Sequence, residues 1–141
     1  MNKELMDSKM ESLAELLQKL KMVLEEHEKN KRLQEFLLYA AEKKAEEIVE
    51  LAISINQELL KEMGKIALSY YESFTALKVF GCISEKELKE LASTAGFRNR
   101  LAHEYLEIDQ KVALRSMKNI LVIYPVYMKK IKKMIDGRKI I

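Results

Sequence analysis

The segment GFRNRLAHEY, residues 96–105, holds the side chains of this chain that are best suited to chemistry. It contains His103, one of two histidines in the sequence, with Arg98 before it and Tyr105 after it. Histidine is the natural general acid or base near neutral pH. Arginine is the natural partner for a phosphate whose charge grows in a transition state. The pair therefore suits the attack of a ribose 2′-hydroxyl on its neighbouring phosphate.

The spacing of Arg98 and His103 leaves two arrangements open. On a continuous helix, a separation of five residues turns two side chains about 140° apart. The side chains converge within one chain only if the helix unwinds near Ala102, and otherwise they meet across a subunit interface. The polar stretch after Ala102 favours a helix end there, with residues 103–108 on a loop between two helices.

The same residues also allow a purely structural interpretation. A histidine near a helix C-terminus, with Arg98 and Arg100 upstream, complements the helix dipole without any chemistry. Spacing alone favours this interpretation over a nuclease. Asn99 and Arg100 are candidate supporting residues. Asn99 could orient the imidazole of His103 or, equally, cap the helix end, and Arg100 is interpreted as a solvated arginine in preference to a phosphate contact.

Apolar periodicity predicts the helices that position this segment. A seven-residue stripe predicts the first helix, and a broad apolar pattern without Gly or Pro predicts a long second one. Gly64 and Gly81 are typical of helix C-terminal ends, Ser84 and Glu87 form a capping box, and Asp109 is typical of an N-cap. The predicted helices span about residues 7–28, 31–63, 69–80, 84–102 and 109–135.

Three details refine this arrangement. The broad apolar face of the second helix indicates a central position in a bundle or contact with another subunit. Gly96 inside the fourth helix indicates close packing, and Pro125 predicts a kink or a break in the last helix. The patterns together predict one domain, residues 1–141, folded as an all-α antiparallel bundle of four or five helices.

Composition excludes several classes of protein. Charged residues make up 33% of the chain and apolar residues 48%, and no apolar run approaches the roughly 20 residues that span a bilayer. The charged N-terminus lacks a hydrophobic signal core, which predicts a cytoplasmic protein. The single cysteine, Cys82, excludes an intrachain disulfide and a cysteine-based zinc cage, and we expect it to be buried. No metal or cofactor site is predicted.

Charge is distributed unevenly along the chain. Residues 1–64 contain 10 Lys/Arg and 14 Asp/Glu, whereas residues 65–141 contain 15 and 8. A positive half favours a polyanionic partner. Much of the surplus lies in MKKIKKMIDGRK, residues 128–139, which is also typical of a solvated helix end. A general nucleic-acid binder that uses this last helix is therefore one alternative function.

Four tyrosines could provide stacking surfaces for nucleobases. They are Tyr70, Tyr71, Tyr124 and Tyr127. Their helical spacing is more typical of core or interface residues, so we expect them to pack inside the protein or between subunits.

The segment GFRNRLAHEYLEID resembles the signature of HEPN domains (higher eukaryotes and prokaryotes nucleotide-binding). More narrowly, it resembles the R-x4-H-x-Y pattern of the HepT-like ribonuclease toxins, and Arg98, His103 and Tyr105 match that pattern position by position. The resemblance extends from about Phe36 to about Ile135. It covers most of the chain.

The resemblance implies a homodimeric, metal-independent endoribonuclease, the toxin of a type VII-like toxin–antitoxin pair, with two motifs in one cleft. His103 would act as the acid/base on the RNA substrate, and Arg98 would stabilise the phosphorane-like charge. A minimal nucleotidyltransferase antitoxin would silence the toxin by transferring AMP from ATP to Tyr105. Relatives often carry an acidic residue in the second helix about where Ser54 stands. The alternative is a non-catalytic helical adaptor that binds a nucleotidyltransferase or a nucleotide.

Overall fold

The described residues of the protein form five α-helices. The computed structural model describes residues 2–66, 69–103 and 108–137, and these residues contain no β-strand. The helices are α1 (Lys3–Lys29), α2 (Gln34–Glu62), α3 (Tyr70–Val79), α4 (Glu85–His103) and α5 (Gln110–Gly137), with a 3-10 turn at Lys31–Leu33. Short links join successive helices, which pack side by side as an antiparallel bundle. The predicted all-α fold is confirmed.

Helix α1 begins earlier than its apolar stripe predicted. The side chain of Asn2 accepts a hydrogen bond from the backbone N–H of Leu5 at 3.0 Å and so caps the first turn. The helix therefore starts at Lys3 and not near residue 7. Met6, on the second turn, is already buried.

Glycine ends helices α2 and α3 as predicted. Gly64 and Gly81 both have φ of 79°, a left-handed conformation that glycine adopts without steric strain. After Gly64, the N–H of Lys65 reaches back to the carbonyl of Leu60 at 2.8 Å. After Gly81, the N–H of Cys82 does the same to Leu77 at 2.9 Å, and Cys82 is buried as expected.

The predicted caps of α4 and α5 are also confirmed. Ser84 accepts a hydrogen bond from the N–H of Glu87 at 3.1 Å, and Glu87 accepts one from the N–H of Ser84 at 2.8 Å. The Asp109 carboxylate accepts from the N–H of Lys111 at 2.7 Å. These caps place the first turn of α4 and of α5.

Helix α5 continues unbroken through Pro125, so of the two predicted outcomes the break does not occur and the kink remains a prediction. The proline lies on the exposed side of the helix. The carbonyl of Leu121, one turn earlier, loses its intrahelical donor to the proline ring. On this side of the helix, water can satisfy that carbonyl, so α5 continues to Gly137.

Helix α2 lies at the centre of the bundle and packs against the other four helices. This explains its broad apolar face. Tyr127 on α5 donates its hydroxyl towards Asn56 on α2 at 2.6 Å, and Asn56 donates to Ser73 on α3 at 3.1 Å. Tyr124 is likewise buried, 2.8 Å from the Thr94 hydroxyl. Tyr124 and Tyr127 are therefore core residues and not stacking surfaces.

Gly96 allows α3 to approach α4 closely, as its position in a helix predicted. A Cβ atom at Gly96 would lie 2.7 Å from the hydroxyl oxygen of Tyr71. Tyr71 itself remains 47% exposed. Tyr71 therefore packs at the surface of the bundle and not in its core.

The described helices include none that is both long enough and apolar enough to cross a bilayer.

Candidate active site at the end of helix α4

Helix α4 carries Arg98 and His103 on one unbroken segment. The helix ends at His103, one residue after the predicted end near Ala102, so His103 lies on its last turn and not on the predicted loop. The two side chains therefore leave the helix about 140° apart and about 7.5 Å apart along its axis. Tyr105, the predicted modification site, and Glu104 lie outside the described residues.

Arg98 is directed towards α2, where it forms an ion pair with Glu50. Its Nε lies 3.2 Å from Glu50 Oε1, and its Nη2 lies 2.5 Å from the same oxygen. The Arg98 side chain is 16% exposed, and that of Glu50 is 46% exposed. The arginine stem is thus enclosed between two helices, while the carboxylate that binds its head is open to solvent.

Asn99 connects the two sides of the motif. Its Oδ1 accepts a hydrogen bond from Arg98 Nη1 at 3.5 Å. It also precedes His103 by four residues, which places it about 40° from the histidine around the helix. The contact that the structure shows for Asn99 is with Arg98, and its predicted action on the imidazole remains a prediction.

His103 and Arg100 lie on the solvent-facing side of α4. Both are exposed, and their separation of three residues puts them about 60° apart on the helix. Arg100 is solvated in this chain, as expected for a surface arginine. A polyanion that approaches His103 would meet the positive charge of Arg100 on the same face.

Glu50 is the residue that the sequence did not identify. We expected the acidic position of α2 near Ser54, but the hydroxyl of Ser54 instead accepts a hydrogen bond from Lys9 Nζ at 2.8 Å. Glu50 stands one turn earlier on the same side of α2. The four-residue spacing of Glu46, Glu50 and Ser54 points to that side, but it does not tell which turn meets Arg98.

Across the described part of the chain, no three His, Cys, Asp or Glu side chains are grouped so as to hold a metal ion. The arrangement at the end of α4 therefore offers an imidazole, two guanidinium groups and a carboxylate as its chemical groups. An imidazole can transfer protons, and a guanidinium can offset charge on a phosphate.

The sequence profile of the family described as ribonuclease HepT-like matches residues 10–140. The chain belongs to this family. The match includes most of α1 and so begins earlier than Phe36, where we expected the resemblance to start. A HepT-like relative, the tRNA nuclease HepT of Aphanizomenon flos-aquae, is 34% identical over 86 residues. That segment is 60% of this chain and 58% of the nuclease, so it spans well under two thirds of the relative.

Solved structures show the same fold at low identity. A tri-AMPylated HEPN toxin of Shewanella oneidensis, solved in complex with its MNT antitoxin, superposes with a TM-score of 0.82 and 18% identity over 94% of this chain and 98% of that chain. YutE of Bacillus subtilis, a cytosolic protein of unknown function, superposes with a TM-score of 0.70 and 16% identity over 92% of each chain. These comparisons confirm the predicted HepT-like family and HEPN fold.

Proposed function

We propose that this chain is the endoribonuclease toxin of a type VII-like toxin–antitoxin pair. It acts in the cytoplasm as a homodimer, needs neither a metal nor a cofactor, and does not associate with membranes. One observation carries this proposal: the Arg98 and His103 pair of the family motif stands at the end of α4, with Arg98 oriented by Glu50 and His103 open to solvent.

The proposed reaction is a transesterification within the RNA backbone. His103 accepts the proton of a ribose 2′-hydroxyl, and the 2′-oxygen forms a bond to the adjacent phosphorus. The bond from phosphorus to the 5′-oxygen breaks, and that oxygen takes a proton from an imidazolium. The products are a 2′,3′-cyclic phosphate and a 5′-hydroxyl. Arg98 offsets the negative charge that builds on the phosphoryl oxygens.

The dimer has a defined role in this proposal. The side chains of Arg98 and His103 diverge on one helix, so two copies of α4 that face each other can bring Arg98 of one copy to His103 of the other. Isologous contacts of this kind are the usual geometry of homodimers.

Silencing by the antitoxin acts on the same cleft. We propose that a minimal nucleotidyltransferase moves AMP from ATP to the Tyr105 hydroxyl and releases pyrophosphate. The AMP group adds bulk and negative charge two residues after His103, where the RNA phosphate must enter. The AMP-modified toxin of Shewanella oneidensis, bound to its antitoxin, supports this part of the proposal.

The decisive experiment incubates the protein with mixed RNA in the presence of EDTA, beside His103→Ala and His27→Ala. His27 is the other histidine of the chain and lies on α1, so its variant controls for the loss of an imidazole elsewhere. We expect cleavage with 2′,3′-cyclic phosphate ends by the wild type and His27→Ala, and none by His103→Ala. Equal cleavage by all three, or a requirement for added metal, would contradict the proposal.

A non-catalytic adaptor for a nucleotidyltransferase is the second candidate. The ion pair with Glu50 favours it, because that carboxylate already compensates the charge of Arg98. The adaptor predicts that wild type without any AMP adduct, as judged by intact mass, cleaves no RNA. It also predicts that His103→Ala binds the nucleotidyltransferase as tightly as wild type does.

A further inference from the structure

Helix α5 concentrates the positive charge of the described chain. Between Gln110 and Gly137 it has seven Lys/Arg and one acidic residue, Asp136. The basic residues are Lys111, Arg115, Lys118, Lys129, Lys130, Lys132 and Lys133. By contrast, the sequence of α2 has three Lys and seven Glu over a similar length. The net charge of +3 for the whole chain therefore hides a strongly cationic helix.

Six of these side chains lie on one side of α5. At 100° per residue, Lys111, Arg115, Lys118, Lys129 and Lys133 fall within about 40° of a single line along the helix, and Lys132 falls within about 60°. All six are exposed. We call this surface the basic track. The opposite side of α5 holds its buried residues, among them Ile120 and Ile131.

The helix dipole accounts for only part of the basic track. Lysines in the last turns of a helix complement its negative end and need no ligand. Lys111, however, stands in the first turn, where the dipole disfavours a cation, and the first turn of α5 has no acidic residue. Exposed positive charge at both ends of one helix indicates a long anionic partner.

Few of these charges are compensated within the protein. Among the described residues, the ion pairs of α5 are Lys118 with Glu28 at 3.8 Å and Lys130 with Glu87 at 3.7 Å. Both pairs are long, and the pair of Lys118 with Glu28 is also open to solvent, so it contributes little. A membrane surface is a poor match, because the apolar side of α5 is buried in the bundle core and cannot enter a bilayer.

The basic track begins in the first turn of α5, the helix that follows the candidate active site in the sequence. Gln110, the first residue of α5, follows His103 by seven residues. From Lys111 to Lys133 the helix rises about 33 Å, at about 1.5 Å per residue. Double-helical RNA is A-form and advances about 2.8 Å per base pair. The track therefore matches about twelve base pairs of RNA.

We propose that the basic track binds the backbone of RNA beyond the cleavage site, so that the substrate is a structured RNA with a helical arm of about twelve base pairs. The proposal rests on the proposed ribonuclease function and adds a substrate class to it. Exposed Val122 and Val126 divide the track into two basic clusters. A duplex, which presents phosphates from two strands, can contact both clusters at once.

The test compares two triple variants in binding and in cleavage. The track variant combines Lys129→Gln, Lys132→Gln and Lys133→Gln. The control combines Lys19→Gln, Lys43→Gln and Lys61→Gln, three exposed lysines on α1 and α2. Binding to a labelled RNA hairpin of about twelve base pairs is measured by fluorescence anisotropy over a range of salt concentrations, in the His103→Ala background.

We expect the track variant to raise Kd about ten-fold at low salt and to reduce the slope of log Kd against log salt by about 2. In the protein that retains His103, the track variant should also lower kcat/KM for the hairpin about ten-fold relative to kcat/KM for a six-nucleotide RNA. The control should match the parent in each measurement. The proposal for the basic track fails if the two variants have the same Kd and the same salt slope. It also fails if the protein binds a DNA duplex of the same sequence more tightly than the RNA hairpin.

The outcomes also separate this proposal from the ribonuclease. If the active parent cleaves RNA and the track variant behaves like it, the ribonuclease proposal stands and the proposal for the basic track fails. If only the track variant weakens the salt-dependent binding of RNA, and the active parent cleaves no RNA, RNA binding by the basic track stands and the ribonuclease proposal fails. Unchanged RNA binding with a shift from dimer to monomer in gel filtration would show a protein interface and overturn the track.

Discussion

Arg98 is held from two directions at the end of α4. Glu50 on α2 accepts from its Nε and Nη2, and Asn99, its neighbour in sequence, accepts from its Nη1. A guanidinium keeps its charge at every physiological pH, so this network controls the direction of the cation and not its protonation. Catalysis by charge stabilisation depends on such fixed geometry. In the proposed reaction, Glu50 is therefore a positioning residue.

Glu50→Ala should lower kcat for RNA about ten-fold, because a displaced catalytic group loses the effect of orientation. KM should change less, since Arg100 and the basic track still attract the RNA. Glu50→Gln retains an oxygen acceptor and should recover most of the loss. Glu46→Ala, one turn earlier on α2, is the matched control. Single-turnover cleavage separates kcat from KM; a Glu50→Ala enzyme as fast as the control would contradict this role.

Helix α4 carries the candidate catalytic motif near its C-terminus and a capping box at its N-terminus. At the N-terminus, the backbone N–H of Ser84 donates to the Glu87 carboxylate, and this hydrogen bond, with Lys130 nearby, holds the pKa of Glu87 below its usual value of 4.5. A carboxyl group whose pKa is lower in the folded state binds fewer protons there than in the unfolded chain. Its contribution to stability is therefore present above pH 4.5 and is lost as pH falls through the folded pKa.

Glu87→Gln should make the free energy of unfolding less dependent on pH under acidic conditions. Between pH 5 and pH 3, the free energy of unfolding of the wild type should fall more steeply than that of Glu87→Gln, by up to about 1 kcal/mol because the cap is at the surface. Glu90→Gln, an exposed residue of the same helix, is the control and should follow the wild type. Urea unfolding at a series of pH values measures the difference, and parallel curves for all three proteins would speak against the assignment.

At the level of elements, sequence patterns predict what is decided locally. Gly64, Gly81 and the Ser84 capping box act within a few residues, and the structure has each of them where expected. The early start of α1 depends on a single asparagine cap before the apolar stripe. The continuity of α5 depends on which side of the helix Pro125 occupies. Both were harder to foresee, because one residue in its surroundings decides them.

The pairing of Arg98 with Glu50 could not be derived from periodicity. These residues are 48 positions apart, and α2 presents glutamates on successive turns of the side that meets α4. The axial position of α2 relative to α4 decides which of these glutamates meets Arg98, and that position results from packing of the whole bundle. The motif residues were identified from their types and from the resemblance to the HepT-like pattern, whereas their geometry required the fold.

Across the whole molecule, one protomer presents the two halves of its motif in different directions. Arg98 points to α2, and His103 points to solvent about 140° away on the same unbroken helix. In the proposed homodimer, composite sites would resolve this divergence, because each site would take Arg98 from one subunit and His103 from the other. Such sites make a prediction that sites within one subunit do not.

Arg98→Ala and His103→Ala should each be inactive alone and should complement each other when mixed. A dimer with one subunit of each kind has one site that lacks both groups and one site that retains both. Random exchange of subunits makes about half of the dimers mixed, so the mixture should recover about a quarter of wild-type activity. If each subunit used its own Arg98 and His103, every site in the mixture would lack one group and no activity would return. Native mass spectrometry verifies that mixed dimers have formed; an inactive mixture that contains them would rule out composite sites and require Arg98 and His103 to converge within a single chain during catalysis.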